Sequence, residues 1–401
     1  MSRRRVQILA LDTGGTMTDA ILIDTDGNFV VGKSQTTPDF IANGIMRALK
    51  DAAGQWGLSF EEAIADLESV VYTGTLMLNR IVSRNGVEPL GVLTTAGFED
   101  ALRMGRGMQS WKHLSLPERM HAISHFHPEP IIPRRNIRGV RERVLATGYT
   151  MVPLYEEDVV RETEFLLRRG VKAIIIGYLN SFVNPEHEIR TAEIVERVLK
   201  EHGADIPVFL SHRLQPLMGE LGRLNTVVIQ VYATEPSRTQ FKEMEKEFRR
   251  YGYGGSVRLL TNYGTTVSSQ FESLIHTVNS GPTGGIIATK FLGDIYGEKY
   301  LVGTDVGGTS FDVGVVMNGK VLLKDGGFLE RFWVNIPMAA VESIGAGTGS
   351  YVSVDTVTNR IKIGPESAGY RVGTCWAESG VETVTVNDAN LLLGYLNPDN
   401  F

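Results

Sequence analysis

Asp12 ends an apolar run over residues 6–11 and is followed by Thr13-Gly14-Gly15-Thr16, with Thr18 and Asp19 close behind. Asp305 ends a second short apolar run and is followed by Val306-Gly307-Gly308-Thr309-Ser310, with Asp312 behind it. Aligned, DTGGTMTD and DVGGTSFD keep the same spacing of Asp, Gly, Gly, Thr and Asp. Together these residue types support phosphate chemistry. Glycines let backbone N–H groups approach an anion closely. Thr16, Thr18, Thr309 and Ser310 add hydroxyl donors. A carboxylate beside such a loop suits the divalent cation that accompanies a phosphate, held directly or through water. One such stretch alone is equally an ordinary hairpin with a glycine turn. Two copies far apart in the chain mark a duplicated unit.

Each aspartate needs a strand to carry it. Residues 6–11 are apolar but for Gln7, as in a strand buried on both faces. A second apolar run over 20–23, the turn Asp26-Gly27 and a third strand over 28–34 come next. After Asp312 come an apolar run over 313–317, the turn Asn318-Gly319 and a third strand over 321–324. Thr73-Gly74-Thr75 sit between an apolar strand over 69–72 and a helical stretch over 76–84. Thr73, Gly74, Thr75 and Asn79 are therefore candidates for the same cleft, a simple helix cap being the plainer role. Residues 280–285, SGPTGG, read as a turn ahead of a helix, able to bind an anion or to pack closely on a sheet. Gly345, Ala346, Gly347 and Thr348 form a further glycine-rich loop after the second Asp motif.

Other stretches are scaffold. Thr37-Pro38-Asp39 opens a helix, and helices are expected over 217–232 and 236–251. A hairpin turning at Thr358-Asn359, a turn-rich loop over 364–369 and a strand over 383–386 are expected near the end. Residues 108–138 lack periodicity and hold His113, His121, His125 and His127. His121 and His125 have the spacing of a helical metal pair. Pro128 and Pro130 argue against a continued helix, so an irregular lid or partner-contacting loop is expected there.

A chain of 401 residues suits two domains. Its net charge of −6 argues against non-specific nucleic-acid binding. The basic start, Ser2-Arg3-Arg4-Arg5, leads into a strand, so it does not read as a signal peptide. No apolar run approaches the roughly 18 residues of a membrane span. The single cysteine, Cys375, excludes an intrachain disulfide and a Cys-rich metal site. A soluble cytoplasmic protein is expected.

The paired Asp-Gly-Gly-Thr motifs resemble those of the actin / sugar kinase / Hsp70 superfamily. The resemblance implies an α/β fold in which two RNase H-like domains offer hairpins to the phosphates of ATP in a nucleotide cleft between them. It also implies that residues 345–348 lie near the adenosine. Over the whole chain, Asp12 to Asp19, LTTAGF at 93–98, GVRER at 139–143, residues 280–285, 303–311, 343–350 and 364–369, and NDAN at 387–390 resemble the hydantoinase A / 5-oxoprolinase family. YTGTLMLN at 72–79 and SIGAGTG at 343–349 are most similar to the nucleotide-binding beta subunits of acetone carboxylases within it. YRVGTCW at 370–376 departs from the usual hydantoinase pattern. The resemblance implies a first domain over 1–200 with the first phosphate loop. A second, over 201–401, carries the second phosphate loop and the adenosine loop. Family chains continue further, so a truncated C-terminus is expected.

The same resemblance implies a function. ATP with Mg²⁺ would activate a small carbonyl substrate and bicarbonate, with Asp12 and Asp305 as catalytic and metal-holding residues. Carboxylation would take place at a metal site in a larger catalytic subunit, with a small subunit also present. The chain would be a ligase subunit. An ATP-dependent hydantoinase or 5-oxoprolinase, a kinase of a small acid or sugar, and a non-catalytic Hsp70-like nucleotide sensor are the alternatives.

Overall fold

The computed structural model describes residues 5–400 apart from 38, 39, 113, 115, 357 and 358. The basic Ser2-Arg3-Arg4, the helix opening at Pro38-Asp39, His113 and the turn residue Thr358 lie outside the described residues.

Strand β1 (Val6–Thr13) is the axis of the first lobe. Strand β2 (Met17–Asp24) runs antiparallel to it, with Asp12 opposite Asp19 and Thr13 opposite Thr18. Strand β3 (Phe29–Gln35) pairs antiparallel with β2. On the other edge of β1, β4 (Ser69–Gly74) runs parallel and sets Thr73 level with Asp12. Val257–Leu260, parallel to β4, and Thr266–Ser268, antiparallel to Val257–Leu260, complete six strands. The sheet thus draws on both sides of residue 200, where the sequence suggested a division. Between β4 and Val257 the chain builds a separate parallel sheet from Ile137–Val140, Leu90–Thr95, Ala173–Gly177 and Val208–Leu210, in that spatial order. Its AIIIG strand is buried throughout, as expected of a parallel sheet covered on both faces.

The helix Ile41–Gln55 buries Ile45, Ala48, Leu49 and Ala52, a stripe at helical spacing. It seats directly on β3 because Gly32 has no Cβ to meet the backbone of Ala48 and Ala52. The two helices expected over 217–251 form one continuous run. Glu220–Ile229 and Glu235–Arg250 are joined by a wider π turn over Gln230–Thr234. Pro236 explains the turn: it has no N–H to give the carbonyl four residues back. That carbonyl, of Tyr232, accepts instead from Val87 N–H at 2.9 Å.

The second lobe repeats the opening hairpin. Leu301–Val306 pairs antiparallel with Phe311–Met317, placing Asp305 opposite Asp312. The expected third strand over 321–324 is broken. Lys320–Val321 and Val341–Ile344 share the outer edge of Phe311–Met317, while Leu323–Lys324 leaves to pair with Met338–Ala339. The helix Ser280–Tyr296 packs on this sheet through Ile286, which lies where a Cβ of Gly314 would be. Its first turns contain the SGPTGG stretch, so that stretch is helix and not a preceding turn. Pro282 is tolerated there because first-turn N–H groups have no intrahelical partner.

Near the end, Ser350–Val354 pairs with Ile361–Ser367, a strand that continues through Gly364-Pro365 where a loop was expected. The expected strand over 383–386 reduces to a bridge between Tyr351 and Thr385. Thr385 is committed elsewhere, forming a reciprocal capping box with Asp388 at the start of the helix Val386–Leu392. Among the described residues, no helix is long and apolar enough to cross a membrane.

Candidate functional site

The two hairpin loops close in the same way. Gly14 N–H donates to Met17 O at 3.0 Å, and Gly307 N–H donates to Ser310 O at 3.0 Å. They face each other across a cleft of about 720 Å³. They also touch: a Cβ on Gly308 would collide with Thr16 Oγ1, a buried hydroxyl that has no hydrogen-bond partner. Only glycine lets the loops come this close.

Eleven of the sequence-predicted site residues line the cleft: Asp12, Gly14, Gly15, Thr16, Thr75, Asp305, Gly307, Gly308, Thr309, Ser310 and Thr348. Thr73 stands beside it, its hydroxyl 3.5 Å from Asp12 Oδ1. Thr18 is buried behind the loop, sharing a hydrogen bond with Thr36 Oγ1 at 3.0 Å. Thr13 is buried beneath it and faces a second, smaller cavity. Gly74 is buried too, its N–H donating to Ser280 Oγ at 3.2 Å and so tying β4 to the long helix of the other lobe. Gly345, Ala346 and Gly347 are not in the lining. Their loop braces the second hairpin from behind, with Thr348 N–H donating to Gly307 O at 2.8 Å and Gly349 N–H to Gly308 O at 2.7 Å.

Several lining residues escaped sequence reasoning. Asp19 and Asp312 enter because the hairpin register sets them opposite Asp12 and Asp305. The repeated second Asp was the available signal. Lys33 enters from β3 and pairs with Asp19 Oδ1 at 2.7 Å. Gly281 and Pro282 bring the first turn of the 280–296 helix to the cleft wall, where its free N–H groups favour an anion. Val372, Trp376 and Asn387 complete the far side. Asn387 N–H holds Thr348 O at 2.6 Å, and its amide holds Val372 O at 3.0 Å. Val372 has φ of +68°, a conformation a β-branched side chain rarely adopts, and such strain clusters at functional sites.

The electrostatics are lopsided. Four carboxylates, Asp12, Asp19, Asp305 and Asp312, share the cleft, and among its described lining residues Lys33 is the one cation. Although Asp12 is open to the cleft, partial desolvation, with the charges of Asp19 and Asp305, raises its pKa above the ordinary value. Asp312 Oδ1 is buried without a partner, while Oδ2 accepts from Ser310 Oγ at 3.2 Å. Hard oxygen donors in excess of cations are the chemistry of a divalent-metal site. Among the described residues, no three His, Cys, Asp or Glu side chains close into a cage of their own. An ion bound by one or two carboxylates, waters and phosphate oxygens fits this better.

The helix His121 and His125 would need does not form. Residues 122–124 are a single tight turn, and His125 Nε2 lies 3.1 Å from Arg119 O. The segment is pinned, since Arg331 donates to the carbonyls of Gln109 and Phe126.

Fold and cleft together define a mixed α/β protein with a duplicated Asp-Gly-Gly-Thr hairpin. The chain belongs to the hydantoinase/oxoprolinase family: the N-terminal-region model of that family matches residues 8–199, and the hydantoinase/oxoprolinase model matches residues 223–401. It is 42% identical over 398 residues to the acetone carboxylase beta subunit of Xanthobacter autotrophicus, covering 99% of this chain and 55% of that protein. A nucleotide-free structure of acetone carboxylase superposes with a TM-score of 0.91 at 42% identity, covering 100% of this chain and 56% of the other. The ATP-dependent caprolactamase of Pseudomonas jessenii superposes with a TM-score of 0.79 at 29% identity, covering 97% and 55%. The chain thus spans about half the length of these relatives.

Proposed function

We propose that this chain is the ATP-binding portion of an ATP-dependent ketone carboxylase. The observation that carries the reading is the pair of matched hairpins facing each other over one carboxylate-rich cleft. Each hairpin is read as the phosphate-binding element of an RNase H-like domain of the actin / sugar kinase / Hsp70 superfamily. The domain division then tracks the two hairpins rather than residue 200. ATP phosphates lie between the loops, against the amides of residues 14–16 and 307–309 and the first turn of the 280–296 helix. Val372 and Trp376 offer an apolar wall to the purine.

Asp12 and Asp305 are proposed to hold Mg²⁺, which supplies charge neutralisation on the transferring phosphoryl group. The chain's own part is to align the phosphates and keep the acceptor in line. Ketone enolate and bicarbonate are the proposed acceptors. Carboxylation then takes place at a metal site in a larger partner subunit, with a small subunit completing a cytoplasmic hetero-oligomer. Neither nucleic acid nor membrane is a proposed partner.

Raised pKa and metal binding make opposing demands on Asp12. A carboxyl whose folded pKa is raised contributes stability below its unfolded pKa, and that contribution is lost as pH rises through the folded value. Near pH 7 the ionised Asp12 therefore burdens the ligand-free fold, and a bound cation relieves it. Melting curves are expected to show a Tm increase with Mg²⁺ that shrinks as pH is lowered towards 4. A Tm shift independent of pH would contradict this.

The chain with its co-purifying subunits is expected to convert ATP to AMP and phosphate only when ketone and bicarbonate are both present, as an assay of nucleotide products reads directly. ATP turnover driven by a lactam, hydantoin or oxoproline would favour amide-ring hydrolysis, the second reading, to which the caprolactamase likeness lends weight. ADP formed from a sugar or small acid would indicate a kinase. ATP bound without turnover would indicate a nucleotide sensor.

A further inference from the structure

Behind the first hairpin loop lies a second cavity of about 300 Å³. It shares only Gly14 and Gly15 with the main cleft, so its contents sit across two side-chain-free residues from the proposed phosphate site. Its chemistry is the reverse of the cleft's. Its described lining holds no carboxylate, and Arg80 is its one charged group. Arg80 Nη2 donates to Gln240 Oε1 at 3.0 Å; Nε is buried without a hydrogen-bond partner and closed off from the cavity, so Arg80 meets the cavity through its Nη groups. No carboxylate pairs with Arg80 among the described residues, and burial lowers its pKa with no acidic neighbour to offset it. Asn79 adds an amide at the rim, its Nδ2 lying 3.5 Å from where a Gly15 Cβ would be.

A guanidinium short of hydrogen-bond acceptors matches a planar oxyanion, which offers two oxygens in one plane. We propose that this cavity binds a small planar oxyanion, a bicarbonate or a simple carboxylate, on Arg80 and Asn79. It would hold that anion beside the glycine loop, next to the nucleotide. The placement rests on reading the main cleft as the nucleotide site; the anion site itself does not.

The test uses the full chain with its co-purifying subunits and two probes, ¹³C-bicarbonate followed by NMR line width and acetate followed by saturation transfer. Nucleotide binding is measured in parallel with a fluorescent ATP analogue. The proposal expects saturable binding of at least one probe, weakened about tenfold or more in Arg80→Gln. Arg80→Lys should retain part of it, and Ser83→Leu, which fills the cavity from its exposed rim, should weaken it with Arg80 intact. Bicarbonate binding alone would identify inorganic carbon as the ligand, and acetate binding alone a carboxylate. Absence of both probes from the wild type, or wild-type binding in both Arg80→Gln and Ser83→Leu, overturns the proposal. Loss of the ATP analogue with anion binding intact would instead refute the nucleotide reading of the main cleft.

Discussion

Asp12→Asn and Asp305→Asn are each expected to lower Mg²⁺-dependent ATP cleavage by about a hundredfold or more. Each aspartate sits at the mouth of a hairpin and lines the same cleft. Asn keeps the shape of Asp and can still accept from the Thr73 hydroxyl at position 12. What it removes is the charge proposed to hold the cation. Preorganised charge aimed at the transferring group acts mainly on the transition state, so the loss should fall on kcat. Folding should survive. Asp12 is crowded by Asp19 and Asp305, and removing its charge relieves repulsion in the ligand-free state. Asp12→Asn should therefore melt no lower than wild type while losing the Tm increment that Mg²⁺ confers. The measurement is ATP consumption against Mg²⁺ concentration in the assembled protein, with melting curves alongside. Wild-type turnover in both variants would remove these carboxylates from the mechanism.

The hairpins were legible because their information is local. Apolar strand, Asp, two glycines and a hydroxyl lie within a dozen residues, and strand register then fixes what faces what. The same register makes Asp19 and Asp312 cleft residues, and the repeated spacing already pointed to them. Lys33 follows from the same local register, which sets it opposite Asp19, though its role was not read from the sequence. Trp376 and Asn387 were not legible: the C-terminal segment is brought to the cleft by long-range contacts such as Gln35 Nε2 to Tyr370 O at 2.8 Å and Asn387 N–H to Thr348 O, which no local pattern encodes. The first sheet was hidden for the same reason. Val257–Leu260 returns to β4 after a whole parallel sheet has been inserted, so sequence order and spatial order part company. Glycine was ambiguous on its own. At 280–285, where anion binding and close packing were equally open readings, it lies in a helix whose first turn lines the cleft, and at 345–347, where the resemblance implied a place near the adenosine, it permits close approach to a backbone.

The last of these glycines carries the second large effect. Gly347→Ala is expected to weaken nucleotide binding about thirtyfold without unfolding the chain. A Cβ at this position would lie 2.6 Å from both Gly307 O and Gly308 C, and closer still to Thr309 N. All three are backbone atoms of the second hairpin loop, so no side chain can swing aside to make room. The loop must move, or residues 345–349 must withdraw from it. Either motion breaks the bonds from Thr348 N–H to Gly307 O and from Gly349 N–H to Gly308 O. At about 1 kcal/mol each, two such bonds correspond to roughly thirtyfold in an equilibrium constant. The cost should fall on binding because these bonds hold the amides of residues 307–309 where phosphate is proposed to bind. The first hairpin has no such brace from this loop, so its own geometry should be spared. Titration of the fluorescent ATP analogue reads the effect, and circular dichroism checks the fold. Unchanged nucleotide affinity in Gly347→Ala would mean that the second hairpin holds its shape without this support, or that phosphate does not bind there.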